Sequence, residues 1–257
     1  MKFLRKLAGI YFLLVFTIPF IVLYPFFLIF LSTPKLYPWA NRLRKLWARI
    51  IVLFAFIRVK ITYEEKPDKN KTYIYAANHS SYLDIISIGL IAPKTFSFMA
   101  KAELAKIPLF GIFFRTVDIA VDRKSMTASH KSFLDAAKRI KEGKSIVIFP
   151  EGTIGPQVPA LKKFKPGAFR LAIDNGIDVI PVTFMHNWKM LPDDGSNIFR
   201  PGRMEIIIHR TVSTAHLKSD DAGALTDKIY TIIEEQLKTD PVNRLLIDAD
   251  KLKNIKV

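Results

Sequence analysis

Residues 145–153 read "SIVIFPEGT". The first five positions hold four apolar side chains with no polar alternation, the pattern of a strand covered on both faces. The run then stops at Pro150, Glu151, Gly152 and Thr153, turn formers that also carry a carboxylate. A second stretch, "DVIPVTF" at 178–184, has the same doubly buried character. Working outward, further strands are predicted at 72–77, 95–100, 117–121 and 204–209, and helices at 84–90, 126–141, 168–175 and 222–238. Alternating strands and helices of this kind specify an α/β fold: a mixed, largely parallel sheet flanked by helices. In such sheets functional groups collect in the loops beyond the carboxyl ends of the strands.

The N-terminal region has a different texture. Residues 7–34, "LAGIYFLLVFTIPFIVLYPFFLIFLSTP", contain no charged side chain. As one straight helix they would reach about 42 Å, against roughly 30 Å of hydrocarbon core in a bilayer. Pro19 and Pro25 interrupt the middle, so a single span and a proline-bent hairpin dipping into one leaflet both fit. A cleavable leader is disfavoured, because the stretch is long and no small-x-small site follows it. Residues 46–57, "LWARIIVLFAFI", are too short to span; they read either as an interfacial helix, with Trp39 and Trp47 in the headgroup layer, or as a helix packed on the core. The expected organisation is therefore membrane-anchoring helices over 1–59, an α/β domain over 60–240, and a tail over 241–257 that forms a surface helix or is partly disordered.

The formal net charge is +16, and there is no cysteine. Thiolate nucleophiles, disulfides and cysteine metal sites are excluded. Ten Lys or Arg and no acidic residue occur in the first 60 positions, interleaved with the longest apolar runs. That distribution suits an acidic membrane surface and is poor for nucleic acid, for which no recognition motif is present either. The basic flank after the apolar stretch puts the bulk of the chain on the cytoplasmic side of the cell (inner) membrane.

The loops after the predicted strands carry the chemistry. The first yields "ANHSSYLD", with His79 five residues before Asp84; the strand at 117–121 runs into Arg123; "SIVIF" runs into Glu151, Gly152 and Thr153; and "LKKFKPGAF" adds Lys162, Lys163 and Lys165. Ser81 and Asp84 have capping-box spacing. The same carboxylate can also orient the His79 ring, one oxygen for each task, leaving Nε2 as a base. A base beside an anion-binding wall results. The remaining histidines, His130, His186, His209 and His216, show no metal-ligand spacing, so neither a metal nor another cofactor is expected.

"NHSSYLD", "AVDR", "FPEGT" and "VIPV", in this order, resemble the four motifs of the glycerolipid acyltransferase family, especially its bacterial 1-acyl-glycerol-3-phosphate acyltransferases. "KAELAKIPLFG" and "FKPGAF" add to the likeness, which covers about residues 60–210. The resemblance implies His79 as general base and Asp84 as its orienting partner. It implies Arg123 at the acceptor's phosphate, with Lys165 a further candidate, Glu151, Gly152 and Thr153 shaping the acceptor pocket, and Pro181 in a structural motif. The implied reaction passes a fatty acyl group from acyl-CoA or acyl-acyl-carrier protein to lysophosphatidic acid, giving phosphatidic acid. One departure stands out: family members usually carry Arg after the third-motif Thr, and here it is Ile154. The readings left open are a lyso-aminolipid acceptor, such as a lyso-ornithine lipid, and a non-enzymatic protein that binds anionic lipid.

Overall fold

In a computed structural model, which describes residues 2–122, 126–196 and 198–255, seven strands form one sheet. They are β1 (Arg58–Tyr63), β2 (Ile74–Ala77), β3 (Phe96–Lys101), β4 (Ile119–Val121), β5 (Ser145–Ile148), β6 (Val179–Phe184) and β7 (Arg203–Ile208). The spatial order is β1-β7-β6-β2-β5-β3-β4, parallel throughout except where β6 meets β7. The mixed, largely parallel sheet expected from the sequence is therefore present. β2, β5 and β6 occupy its middle, and nearly all their residues are buried, as runs without alternation require.

Helices cover both faces. On one lie α1 (Lys2–Phe30), α2 (Tyr37–Phe54), α3 (Leu83–Ile91) and α4 (Gly111–Thr116), packed on Tyr75, Val147, Ile180 and Val182. On the other, α5 (Met126–Lys141), α6 (Gly167–Asp174) and α8 (Ala222–Leu237) bury Ile146, Val179 and Ile207. Two further α-helices are α7 (Asn187–Met190), after β6, and α9 (Pro241–Ile255), after α8. The tail at 241–257 is thus helical through Ile255, and it is docked, because Asn243 and Ile247 are buried.

The structure adds one strand and decides between readings left open for the N-terminal segment. β1 is not among the predicted strands; its six residues are all exposed at the sheet edge, which leaves no burial pattern in the sequence. The prolines do not bend the apolar segment into a hairpin: α1 runs unbroken past Pro19 and Pro25. Each proline forfeits one backbone hydrogen bond, but Phe20 and Phe27 wedge against Trp47 and Phe113 and hold the helix line. The chain reverses instead at residues 31–36, and α2 returns antiparallel along α1, with Trp47 Nε1 donating to the Phe16 carbonyl at 3.1 Å. Trp47 is consequently buried, while Trp39 is half-exposed.

α2 is also fastened to the sheet. Arg44 forms a buried, two-pronged ion pair with Asp118, one prong Nη1 to Oδ1 at 3.1 Å, and its guanidinium lies 4.3 Å over the Phe113 ring. Asp118 accepts in addition from the Phe98 backbone N–H at 3.0 Å. Residues 7–30 of α1 are long and apolar enough to cross a membrane, and most of that stretch is not covered by the rest of the chain.

Candidate active site

β2 and β5 are parallel neighbours in register Ala76 opposite Ile148. Three residues further along the same register, His79 faces Glu151. The adjacency of two motifs seventy residues apart is thus a consequence of strand order. The His79 backbone N–H donates to Glu151 Oε1 at 2.6 Å, and the Lys162 backbone N–H donates to Oε2 at 2.9 Å. Both Glu151 oxygens are occupied, so its carboxyl ties the loop after β2 to the segment at Lys162. Burial pushes this carboxyl up to about 7 against the pull of its two N–H donors, and the nearby Asp84 charge adds to the rise. Gly152 turns the chain at φ 81°, a left-handed conformation natural to glycine.

On the other side of β2, Asn78 is bonded twice to the end of β6: Nδ2 donates to the Phe184 carbonyl at 3.1 Å, and the Phe184 N–H donates to Oδ1 at 2.8 Å. The loop after β2 is therefore held from both flanks before it turns into α3. There His79 Nδ1 lies 3.0 Å from Asp84 Oδ2. The same oxygen accepts the backbone N–H groups of Ser80 at 2.6 Å and Ser81 at 2.9 Å. The expected division of one oxygen per task is corrected: Oδ2 both caps the helix and faces the imidazole. Oδ1 instead accepts Asn187 Nδ2 at 2.8 Å. Asp84 is fully buried, whereas the His79 side chain retains 14% exposure. The His79 ring stacks on Phe149, centroids 4.1 Å apart. With Nδ1 donating to a carboxylate, Nε2, which has no hydrogen bond among the described residues, is the acceptor end of the ring.

The neighbouring strand β3 ends at Lys101, whose Nζ donates to Thr153 Oγ1 at 2.9 Å. Lys162 lies alongside the turn after Thr153: a Cβ on Gly155 would meet the Lys162 stem at 3.0 Å. No acidic partner of Lys101 or Lys162 occurs within ion-pair distance among the described residues. Lys165 is exposed, its backbone N–H bonded to the Pro150 carbonyl at 3.0 Å. Arg123 lies outside the described residues. Pro181 is buried in β6 beside Ala76. Sequence reasoning missed Lys101, Phe149 and Asn187 as neighbours of the site; for Lys101 and Phe149 the ends of adjacent parallel strands would have given them.

Elsewhere, His209 is sandwiched between Glu64 at 2.9 Å and Thr183 at 2.8 Å. Thr183 is fully buried, so this row braces β6 and β7 and offers no nucleophile to a substrate. Among the described residues no three His, Asp or Glu side chains form a metal cluster.

A family model described as acyltransferase matches residues 58–185, from β1 through the end of β6. The chain is 32% identical over 223 residues to a chloroplastic 1-acyl-sn-glycerol-3-phosphate acyltransferase of Arabidopsis thaliana, covering 82% of this chain and 60% of that protein. The chain thus spans less than two thirds of the length of that plant relative. The 1-acyl-sn-glycerol-3-phosphate acyltransferase of Bacillus subtilis is 29% identical over 183 residues, 69% of this chain and 87% of that one. The crystal structure of the 1-acyl-sn-glycerophosphate acyltransferase of Thermotoga maritima shares the fold, with a TM-score of 0.78 at 24% identity over 93% of this chain and 97% of that one. The matched span holds the loops that gather His79, Asp84 and Glu151 at one end of the sheet, and the chain belongs to the acyltransferase family.

Proposed function

We propose that this chain transfers a fatty acyl group from an acyl thioester to the free hydroxyl of lysophosphatidic acid, giving phosphatidic acid. The observation that carries the reading is the His79–Asp84 pair at 3.0 Å, with the other ring nitrogen unencumbered at a partly open surface. The names of the relatives, 1-acyl-sn-glycerol-3-phosphate acyltransferases, support this acceptor class. His79 Nε2 takes the hydroxyl proton as the oxygen attacks the thioester carbon; the tetrahedral intermediate collapses, the C–S bond breaks, and the imidazolium returns the proton to the departing thiolate. The buried Asp84 carboxylate stabilises that imidazolium, and no covalent enzyme intermediate is involved. Proton transfer of this kind is worth about 10²–10⁴ in rate, so positioning and oxyanion stabilisation carry the remainder.

Lysines beside the third-motif turn support a site for the acceptor phosphate. Lys101 and Lys162 flank the turn at Thr153–Gly155, where Ile154 supplies no charge. Lys165, exposed in the loop before α6, and Arg123, assigned by the family resemblance alone, are further candidates for the phosphate. The donor is acyl-CoA or acyl-acyl-carrier protein. The apolar, uncovered length of α1 supports attachment to the inner membrane, with the α/β body on the cytoplasmic side.

The test is acyl transfer by purified protein in detergent, with both donors, and with lysophosphatidic acid and a lyso-aminolipid offered side by side. Phosphatidic acid formation that disappears in His79→Ala supports the proposal. Product from the aminolipid alone moves the substrate, as the uncharged Ile154 would then imply. Folded protein inactive with both acceptors and both donors sinks the enzymatic reading and leaves lipid binding.

A further inference from the structure

Asn187 opens α7, more than a hundred residues from Asp84 in sequence, and is fully buried. Its side-chain amide spends both N–H donors: one on Asp84 Oδ1 and one on Ser87 Oγ, each at 2.8 Å. The amide orientation follows from chemistry, since only the NH₂ end can face a carboxylate. Its Oδ1 is left without a hydrogen-bond partner among the described residues. Buried polar groups are normally satisfied. A residue placed only to fill this space would be better as an apolar side chain, so the unmatched oxygen implies that the two donors are what is retained.

The segment is braced on each side. Asn243 of α9 donates to the Met185 carbonyl at 3.1 Å, His186 pairs with Asp240 at 3.0 Å, and Ser81 Oγ donates to the Leu191 carbonyl at 2.7 Å. Asn187 therefore approaches Asp84 from a fixed platform. With Oδ2 held by the Ser80 and Ser81 amides, the Asn187 bond on Oδ1 removes the last rotation of the carboxylate.

We propose that Asn187 is a positioning residue of the reaction: it locks the Asp84 carboxylate in the plane that receives the His79 Nδ1 proton and tunes how strongly that carboxylate favours the imidazolium. The assignment rests on the general-base reading of His79. Among the described residues, the titratable groups facing the pair are Glu151, behind the His79 backbone, and, on the Asn187 segment, His186 and Lys189, both paired with Asp240. Removing a donor from Oδ1 concentrates charge on the carboxylate. The imidazolium then becomes more stable, and a higher pH is needed to free the base.

The experiment measures kcat and KM across pH 5.5–9 for wild type, Asn187→Ala, Ser87→Ala and His79→Ala, each with its melting temperature. Expected for Asn187→Ala are a kcat loss of about tenfold or more, an acceptor KM within about twofold, and an acid limb of kcat/KM moved upward by roughly half a pH unit. Ser87→Ala removes the other contact of the same amide from the same buried spot; it is expected to lower the melting temperature while leaving the limb in place. If Asn187→Ala does not fold, the near-isosteric Asn187→Leu removes the same donor while filling the space and should move the limb upward as well. An unmoved limb in a folded Asn187 variant, or the same movement in Ser87→Ala, overturns the assignment. Activity surviving in His79→Ala instead overturns the general-base reading and takes this assignment with it.

Discussion

The Glu151 carboxylate and the His79 backbone N–H are joined by a 2.6 Å hydrogen bond across the carboxyl ends of two adjacent parallel strands. The second oxygen of the same carboxylate holds Lys162. One buried side chain thus sets the spacing between the proposed base and the proposed cationic wall.

That bond has a pH signature. The folded Glu151 carboxyl is raised to about 7 from an ordinary glutamate value near 4.5, so the folded state holds this proton more tightly than the unfolded one. The contribution to stability is full below the unfolded value and is lost as pH rises through 7. Glu151→Gln mimics the protonated form and should abolish this dependence. Melting temperatures of wild type and variant between pH 5 and 8 should show wild type losing ground to the variant as pH rises. A constant difference would contradict the assignment. Activity should fall in the variant at every pH, because the Gln amide cannot accept from both backbone N–H groups.

The cationic wall predicts a split in kinetics. Lys101→Met and Lys162→Met should each raise KM for lysophosphatidic acid by roughly tenfold, the scale of one charge-assisted hydrogen bond. Little change is expected in kcat. Gly155→Ala should produce a milder increase, because the new methyl would press on the Lys162 stem. Unchanged KM values would place the phosphate elsewhere, with Arg123 and Lys165 next to be tried.

The Arg44–Asp118 pair predicts a stability effect. Arg44→Ala leaves a buried carboxylate without its counter-charge, a change that typically costs 3–5 kcal/mol. A chain of this size should lose roughly 10 °C or more in melting temperature. Thermal unfolding in detergent reads this directly, and a loss of a degree or two would show that Asp118 is rescued by solvent.

The uncovered face of α1 predicts the opposite pattern. Leu14, Ile18 and Ile21 share one exposed side of the helix. Replacing Ile18 and Ile21 with Lys should leave the melting temperature in detergent nearly unchanged. Co-sedimentation with anionic vesicles should fall at least tenfold. Undiminished vesicle binding would shift the attachment to the basic residues of α2.

How much of this was legible in the sequence depends on where each signal came from. β5 and β6 announced themselves because strands buried on both faces lose all alternation. β1 did not, since "RVKITY" is exposed throughout and only its pairing with β7 makes it a strand. Pro19 and Pro25 left span and hairpin both open, because their local cost is set against aromatic packing from α2 and α4, which no local pattern records. At the site, His79, Asp84 and Glu151 stood out as polar residues at the ends of apolar runs. Asn187 carried no such mark. Its reach to Asp84 depends on β6 lying beside β2, a fact of sheet order that one sequence does not disclose.

Sheet order also fixes how the protein should fail. The proposed base hangs from β2, the middle strand of seven, with three strands on either side. Segments with few buried contacts open first, and β2 is buried throughout. Under mild heat the exposed edge strand β1 should therefore loosen while the His79–Asp84 geometry persists. Turnover would be lost abruptly, with the sheet itself, and not by gradual erosion of the base.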